Sequence, residues 1–250
     1  MYAVEAANLV KVYEGRVRAL DGISFQVEPG EIFGLIGPNG AGKTTTLRIV
    51  ATLLRPTEGA ARVFGYDVVN EADKVRRIIS YLPEEAGAYR NLSGLEYLRF
   101  VAGFYSEDKD AVEEMVSRAV EISGLSDKIH ERVKGYSKGM KRRLLVARTL
   151  MVLPRLAIMD EPTSGLDVVH AIHVREIIKD YVEKHGVTVL LSSHNMLEVE
   201  YLCDRVAIIN KGRTVCEGTP DGLKKEFEAE NLEEVFMKAT EAKVGEEAYV

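Results

Sequence analysis

The sequence predicts an α/β fold: a mostly parallel sheet with an antiparallel part at its N-terminal end and a helical subdomain inserted near the middle. Three observations predict it. Short apolar runs recur along the chain, each feeding a polar or glycine-rich turn. Between Ser93 and Leu150 that strand signal gives way to helical periodicity. The chain has 250 residues, 46% of them hydrophobic, which is enough for one large or two small domains with a substantial core.

The first thirty residues alternate and turn as antiparallel strands do. ISFQV (Ile23–Val27) alternates apolar and polar, and Pro29–Glu31 forms a turn. EIFGLIG, RIISYLP, RLAIMDEP, GVTVLLSSH and RVAIINKG follow as strands. Their nearly continuous apolar character fits a parallel sheet covered on both faces by helices. SGLEYLRFVAGFY and DAVEEMVSRAVEISGL read as amphipathic helices. The expected division is one domain over 1–240, with its α/β core in 1–92 and 151–230 and its helical subdomain in 93–150. A charged, loose tail is expected over 241–250.

Bulk properties narrow the function. A net charge of −6 provides no overall attraction to nucleic acid, and no nucleic-acid partner is expected. Cys203 and Cys216 have neither metal-ligand spacing nor the density of a disulfide scaffold, which suits a reducing, cytosolic compartment. The N-terminus lacks a signal pattern. The most apolar window, LLVARTLMVLPRLAIM, is broken by Arg148, Pro154 and Arg155 and is no membrane span.

GPNGAGKT (Gly37–Thr44) follows a strand and precedes a helix, the context a phosphate-binding loop requires. Gly37, Gly40 and Gly42 let the backbone wrap closely enough to aim N–H groups at phosphate oxygens. The helix that follows presents its positive end to the same anion. Lys43 supplies a point charge for β- and γ-phosphates, and the Thr44 hydroxyl can ligate Mg²⁺. Pro38, Asn39, Ala41 and Thr45 complete the loop.

Asp160 and Glu161 sit just past the strand RLAIM, and ligands of open parallel sheets bind at such carboxyl ends. A lone Asp–Glu pair reads more readily as an acidic turn capping a helix; the phosphate loop upstream reverses that preference. Asp160 then holds Mg²⁺, and Glu161 orients or deprotonates an attacking water. His194 leaves the strand VTVLLSS at the same sheet edge, where an imidazole can bridge γ-phosphate and base. The remaining histidines, His130, His170, His173 and His185, read as structural or exposed. YSKGM (Tyr136–Met140), taken alone, favours a helix start with Ser137 as N-cap.

In this order the residues resemble the ATP-binding subunits of ABC transporters over nearly the whole chain. GPNGAGKT resembles the Walker A motif, LAIMDE Walker B, SGLD (Ser164–Asp167) the D-loop and His194 the switch histidine. The resemblance makes Tyr13 the residue that stacks on adenine, with Val17 beside it. It makes YSKGM the signature motif, in which Ser137 and Gly139 close over the γ-phosphate held by another subunit. Glu84 stands where the family usually has glutamine and becomes a metal ligand beside Asp160 and Thr44. The implied cofactors are ATP and Mg²⁺. The implied partners are a polytopic membrane permease and a second ATPase subunit, either another copy or a close paralogue. The implied location is cytoplasmic, on the inner face of the membrane through the permease. YSKGM, YLPEE and LEEVF (Leu232–Phe236) resemble the branch serving drug, sodium and polysaccharide exporters. A soluble ABC ATPase with a cluster-assembly or other role is the alternative.

Overall fold

The structure, a computed structural model, describes residues 1–247, with side chains as far as Glu241. It opens with β1 (Val4–Val12) and β2 (Arg18–Val27), paired antiparallel with Val4 opposite Val27. The return between them is closed by the Tyr13 amide, which donates to Val17 O at 2.9 Å. Gly15 (φ +87°) and Arg16 (φ +67°) supply its left-handed backbone.

β3 (Ile32–Ile36) follows and is buried throughout. Ile32 and Ile36 pack into one core, Phe33 and Leu35 into another that includes helix α1 (Lys43–Val50) and the N-terminal sheet. Burial on both faces is why the run is apolar without alternation. Each of these four side chains contributes about 1.5–3 kcal/mol relative to exposure. β4 (Glu58–Val63) pairs antiparallel with β1 and with β5 (Tyr66–Asp67), giving a four-stranded sheet of order β2-β1-β4-β5.

Next come α2 (Ala72–Arg76) and β6 (Ile79–Leu82), then α3 (Gly94–Ala102), α4 (Lys109–Ser123) and α5 (Lys138–Leu150). Two single turns of tighter helix, Ser126–His130 and Val133–Gly135, connect α4 to α5. α3 begins with a capping box: Ser93 Oγ accepts from the Glu96 amide at 3.2 Å, and Glu96 Oε2 accepts from the Ser93 amide at 2.7 Å. α4 stops at Gly124, whose φ of +53° suits a left-handed cap.

The chain then returns through β7 (Leu156–Asp160), α6 (Val168–His185), β8 (Thr188–Ser193), α7 (Met196–Leu202), β9 (Arg205–Asn210), β10 (Arg213–Gly218), α8 (Pro220–Glu226) and α9 (Leu232–Glu247). α9 continues into the segment expected as a loose tail; residues 248–250 of that expectation lie outside the described residues. The second sheet has the order β10-β9-β3-β8-β7-β6. Its pairs are parallel except for β10 on β9.

The observed architecture is therefore the α/β class predicted, with an antiparallel N-terminal part and inserted helices. Its strand order sets the turns after β3, β8, β7 and β6 side by side along one edge. Among the described residues no helix is long and apolar enough to cross a membrane.

Candidate functional site

The turn after β3 is the glycine loop. Gly37 has φ +156°, and a Cβ there would lie 2.1 Å from Ile209 O. Gly42, the N-cap of α1, has φ +109°, and a Cβ would meet Leu20 Cδ2 at 2.6 Å. Only glycine fits at either position. No side chain caps α1, so its first amides and its positive end face the loop. Lys43 folds back along the loop: Nζ donates to Gly37 O at 2.8 Å and Pro38 O at 3.2 Å.

The two carboxylates after β7 are wired to both neighbouring strand ends. Asp160 is almost fully buried, and its Oδ1 accepts from Thr44 Oγ1 at 3.1 Å and Ser192 Oγ at 2.6 Å. Ser192 Oγ in turn accepts from the Glu161 amide at 3.0 Å, which fixes one acid relative to the other. Glu161 has φ +50°, an uncommon conformation for a residue with a side chain. Its carboxylate has a partner on either side. Oε1 lies 3.5 Å from Lys43 Nζ, and Oε2 lies 2.8 Å from His194 Nδ1. Lys43, Thr44, Asp160, Glu161 and His194, predicted from separate stretches, thus meet in one cluster.

Thr44 and Asp160 offer hard oxygen donors of the kind Mg²⁺ prefers, usually with phosphate and water completing its shell. Among the described residues no group of three or more His, Cys, Asp or Glu could hold a metal alone. This donor set fits an ion that arrives with a phosphate. Glu84, after β6, joins the loop and Glu161 in lining a cleft of about 410 Å³.

Tyr13 stands at the rim, its hydroxyl 3.4 Å from Thr45 Oγ1 and Lys11 Nζ 5.4 Å from its ring centroid. The ring is 37% exposed, and Val17, hydrogen-bonded to it across the turn, is more so. An aromatic face is therefore presented beside the end of the phosphate loop.

Ser137 and Gly139 are elsewhere: neither lines the cleft. Ser137 is the N-cap of α5, its Oγ accepting from the Met140 amide at 3.1 Å. Gly139 packs under His170, and a Cβ there would come within 1.7 Å of His170 Cδ2. His170 Nδ1 is held 3.1 Å from Asp167 Oδ1. Lys138 reaches over Gly165, so close that a Cβ at 165 would sit 1.9 Å from Nζ. YSKGM therefore both starts a helix and packs against Ser164–Asp167.

Two participants escape sequence reading. Ser192 precedes His194 in a strand and carries only a hydroxyl as signal. Arg142, within KRR, looks like surface charge yet is buried at 7% exposure. Burial pushes its pKa down to about 10, which still leaves it charged at neutral pH.

The ABC transporter family model matches residues 20–164. The daunorubicin/doxorubicin resistance ATP-binding protein DrrA of Streptomyces peucetius is 43% identical across 89% of this chain and 67% of its own length. The linearmycin resistance ATP-binding protein LnrL of Bacillus subtilis is 38% identical across 88% of this chain and 70% of its own. A solved ATP-binding subunit of an ABC transporter superposes with a TM-score of 0.82 at 30% identity, covering 95% of this chain and 99% of that one.

Proposed function

The chain belongs to the ABC transporter family as an ATP-binding, ATP-hydrolysing subunit, and on that premise we propose how its residues divide the work. The observation that carries the reading is the bonded cluster of Lys43, Thr44, Asp160, Glu161 and His194 at the mouth of the glycine loop. The backbone N–H groups from Asn39 to Thr45, at the start of α1, bind the phosphates, and Lys43 turns from its loop carbonyls to the β- and γ-phosphate oxygens. Tyr13 and Val17 hold the adenine face. Thr44 and Asp160 would hold Mg²⁺, with Glu84 beside them, and the ion would supply positive charge against the phosphates. Glu161 accepts the proton of the attacking water, and His194, bonded to its far oxygen, orients it toward the γ-phosphate.

Ser137 and Gly139 act on a second subunit. They lie outside the cleft of their own chain, and the head of α5, exposed at Ser137 and Lys138, is a second anion site. Two subunits, identical or closely paralogous, close head to tail over two nucleotides. The helices between 93 and 150 form the arm that carries this motif to the partner.

A permease partner in the membrane is supported by the surface next to Glu84. Tyr89, Phe100 and Phe104 form an exposed aromatic ladder, with edge-on contacts of 5.3 Å and 5.1 Å between ring centroids. Phe104 is 74% exposed, and an uncovered apolar patch of this kind marks a protein contact. The resistance proteins among its relatives support export as the direction of transport, with the chain at the inner face of the membrane.

The test is light scattering with MgATP. Glu161→Gln keeps the shape of the side chain but cannot take the proton, so hydrolysis stops while a nucleotide-held dimer accumulates. Adding Ser137→Arg fills the donor pocket and returns the protein to monomer. A Glu161→Gln protein that stays monomeric, or a double variant that stays dimeric, would overturn the reading.

A further inference from the structure

Arg142 is placed unlike any other cation among the described residues. A guanidinium has five N–H donors in a fixed fork. Here they serve five backbone carbonyls. Nε donates to Pro162 O at 2.7 Å; Nη2 donates to Asp160 O at 2.9 Å and Glu161 O at 2.5 Å. Nη1 donates to Glu84 O at 3.1 Å and Pro83 O at 3.3 Å. Its charge is compensated by these carbonyl dipoles and, at longer range, by the carboxylates of Asp160, Glu84 and Glu161.

The acceptors are not a random set of core carbonyls. Three belong to the turn holding Asp160 and Glu161, and two to the turn holding Glu84. The arginine itself sits on α5, five residues from Ser137, a rise of about 7.5 Å along a rigid helix. One side chain therefore ties the head of α5 to both turns. It also grips the carbonyl of Glu161, whose left-handed backbone aims its carboxylate.

We propose that Arg142 is a positioning residue for hydrolysis, which sets the aim of Glu161 according to how the Ser137–Gly139 end of α5 is seated. The inference rests on the reading of Glu161 as the proton acceptor for water. When α5 shifts as its head engages the partner's nucleotide, the guanidinium carries that shift to the two turns. A misplacement of about 1 Å in such a group costs on the order of 10²-fold in rate.

The test uses Arg142→Lys and Arg142→Gln in the full chain, with thermal melts, MgATP affinity, kcat and KM measured together. Lysine keeps the charge but has three donors, so it satisfies at most three of the five carbonyls. The expected result for Arg142→Lys is a folded protein with ATP affinity and KM within about twofold of wild type and kcat lower by about 10–10²-fold. A kcat per folded molecule equal to wild type in both variants overturns the inference, as does failure of both to fold, which would assign Arg142 to the core alone. The Glu161→Gln control separates the two readings. Hydrolysis retained there removes the reading of Glu161; hydrolysis lost there but kept in Arg142→Lys removes only the role of Arg142.

Discussion

At the carboxyl edge of the parallel sheet, Lys43, Thr44, Asp160, Glu161 and His194 bond one another across three strand ends. At the head of α5, Ser137 bonds only within its own helix, and Gly139 is packed under His170 of the same chain. The first region is complete in one subunit: its geometry is set by contacts already made. The second has donors held in place outside the cleft of their own chain. On the proposed function, the difference predicts that nucleotide binding is a property of the single chain, while hydrolysis depends on where a second chain sets its helix.

The largest effect is expected on the self-contained side. Lys43→Ala removes the cation of the loop and leaves Glu161 without one of its two partners. ATP affinity should fall by about 2–5 kcal/mol, as when one member of a buried charge pair is cut away. An affinity near wild type by titration would break the assignment of the loop. Gly139→Ala attacks the other side. The new methyl must displace His170, which shifts the start of α5. Hydrolysis should drop by about 10²-fold, in the range of a lost transition-state donor, while ATP affinity stays put. Parallel losses of affinity and rate would mean the two regions are not separable. Tyr13→Ala is the mildest. It should weaken ATP binding by about 1–3 kcal/mol, and Phe or Trp should restore it. If Ala, Phe and Trp all behave alike, adenine does not stack on this ring.

Much of this was legible because its signals are local. The glycine loop, the apolar runs of β3, β7 and β8, and the cap of α5 each declare themselves within a few residues. The strand order, which makes Lys43, Glu161 and His194 neighbours, was inferred only as a shared sheet edge. β4 and β5 leave no strand signal, since EGAARV carries a glycine, two alanines and a single β-branched residue and β5 is only Tyr66–Asp67. Arg142 stayed hidden for a different reason. Its partners are carbonyls at 83, 84 and 160–162, and a backbone acceptor leaves no mark in the identity of the residue that offers it. The same holds for His170, whose fit over Gly139 depends on the approach of two helices.

The position of β3 has a consequence for the order in which the protein can be made. This strand pairs on one side with β8 and on the other with β9, elements that lie more than 150 residues further along the chain. While a ribosome is still producing the middle of the protein, both edges of β3 are unpaired and the glycine loop has no Ile209 carbonyl against it. At about 5–20 residues per second, that interval lasts on the order of 10–30 seconds. The N-terminal sheet and α1 can cover one face of β3 from the start, but its edges stay open to other strands until the last third of the chain arrives. A chaperone that shelters nascent chains should therefore dwell longest between the synthesis of β3 and that of β9.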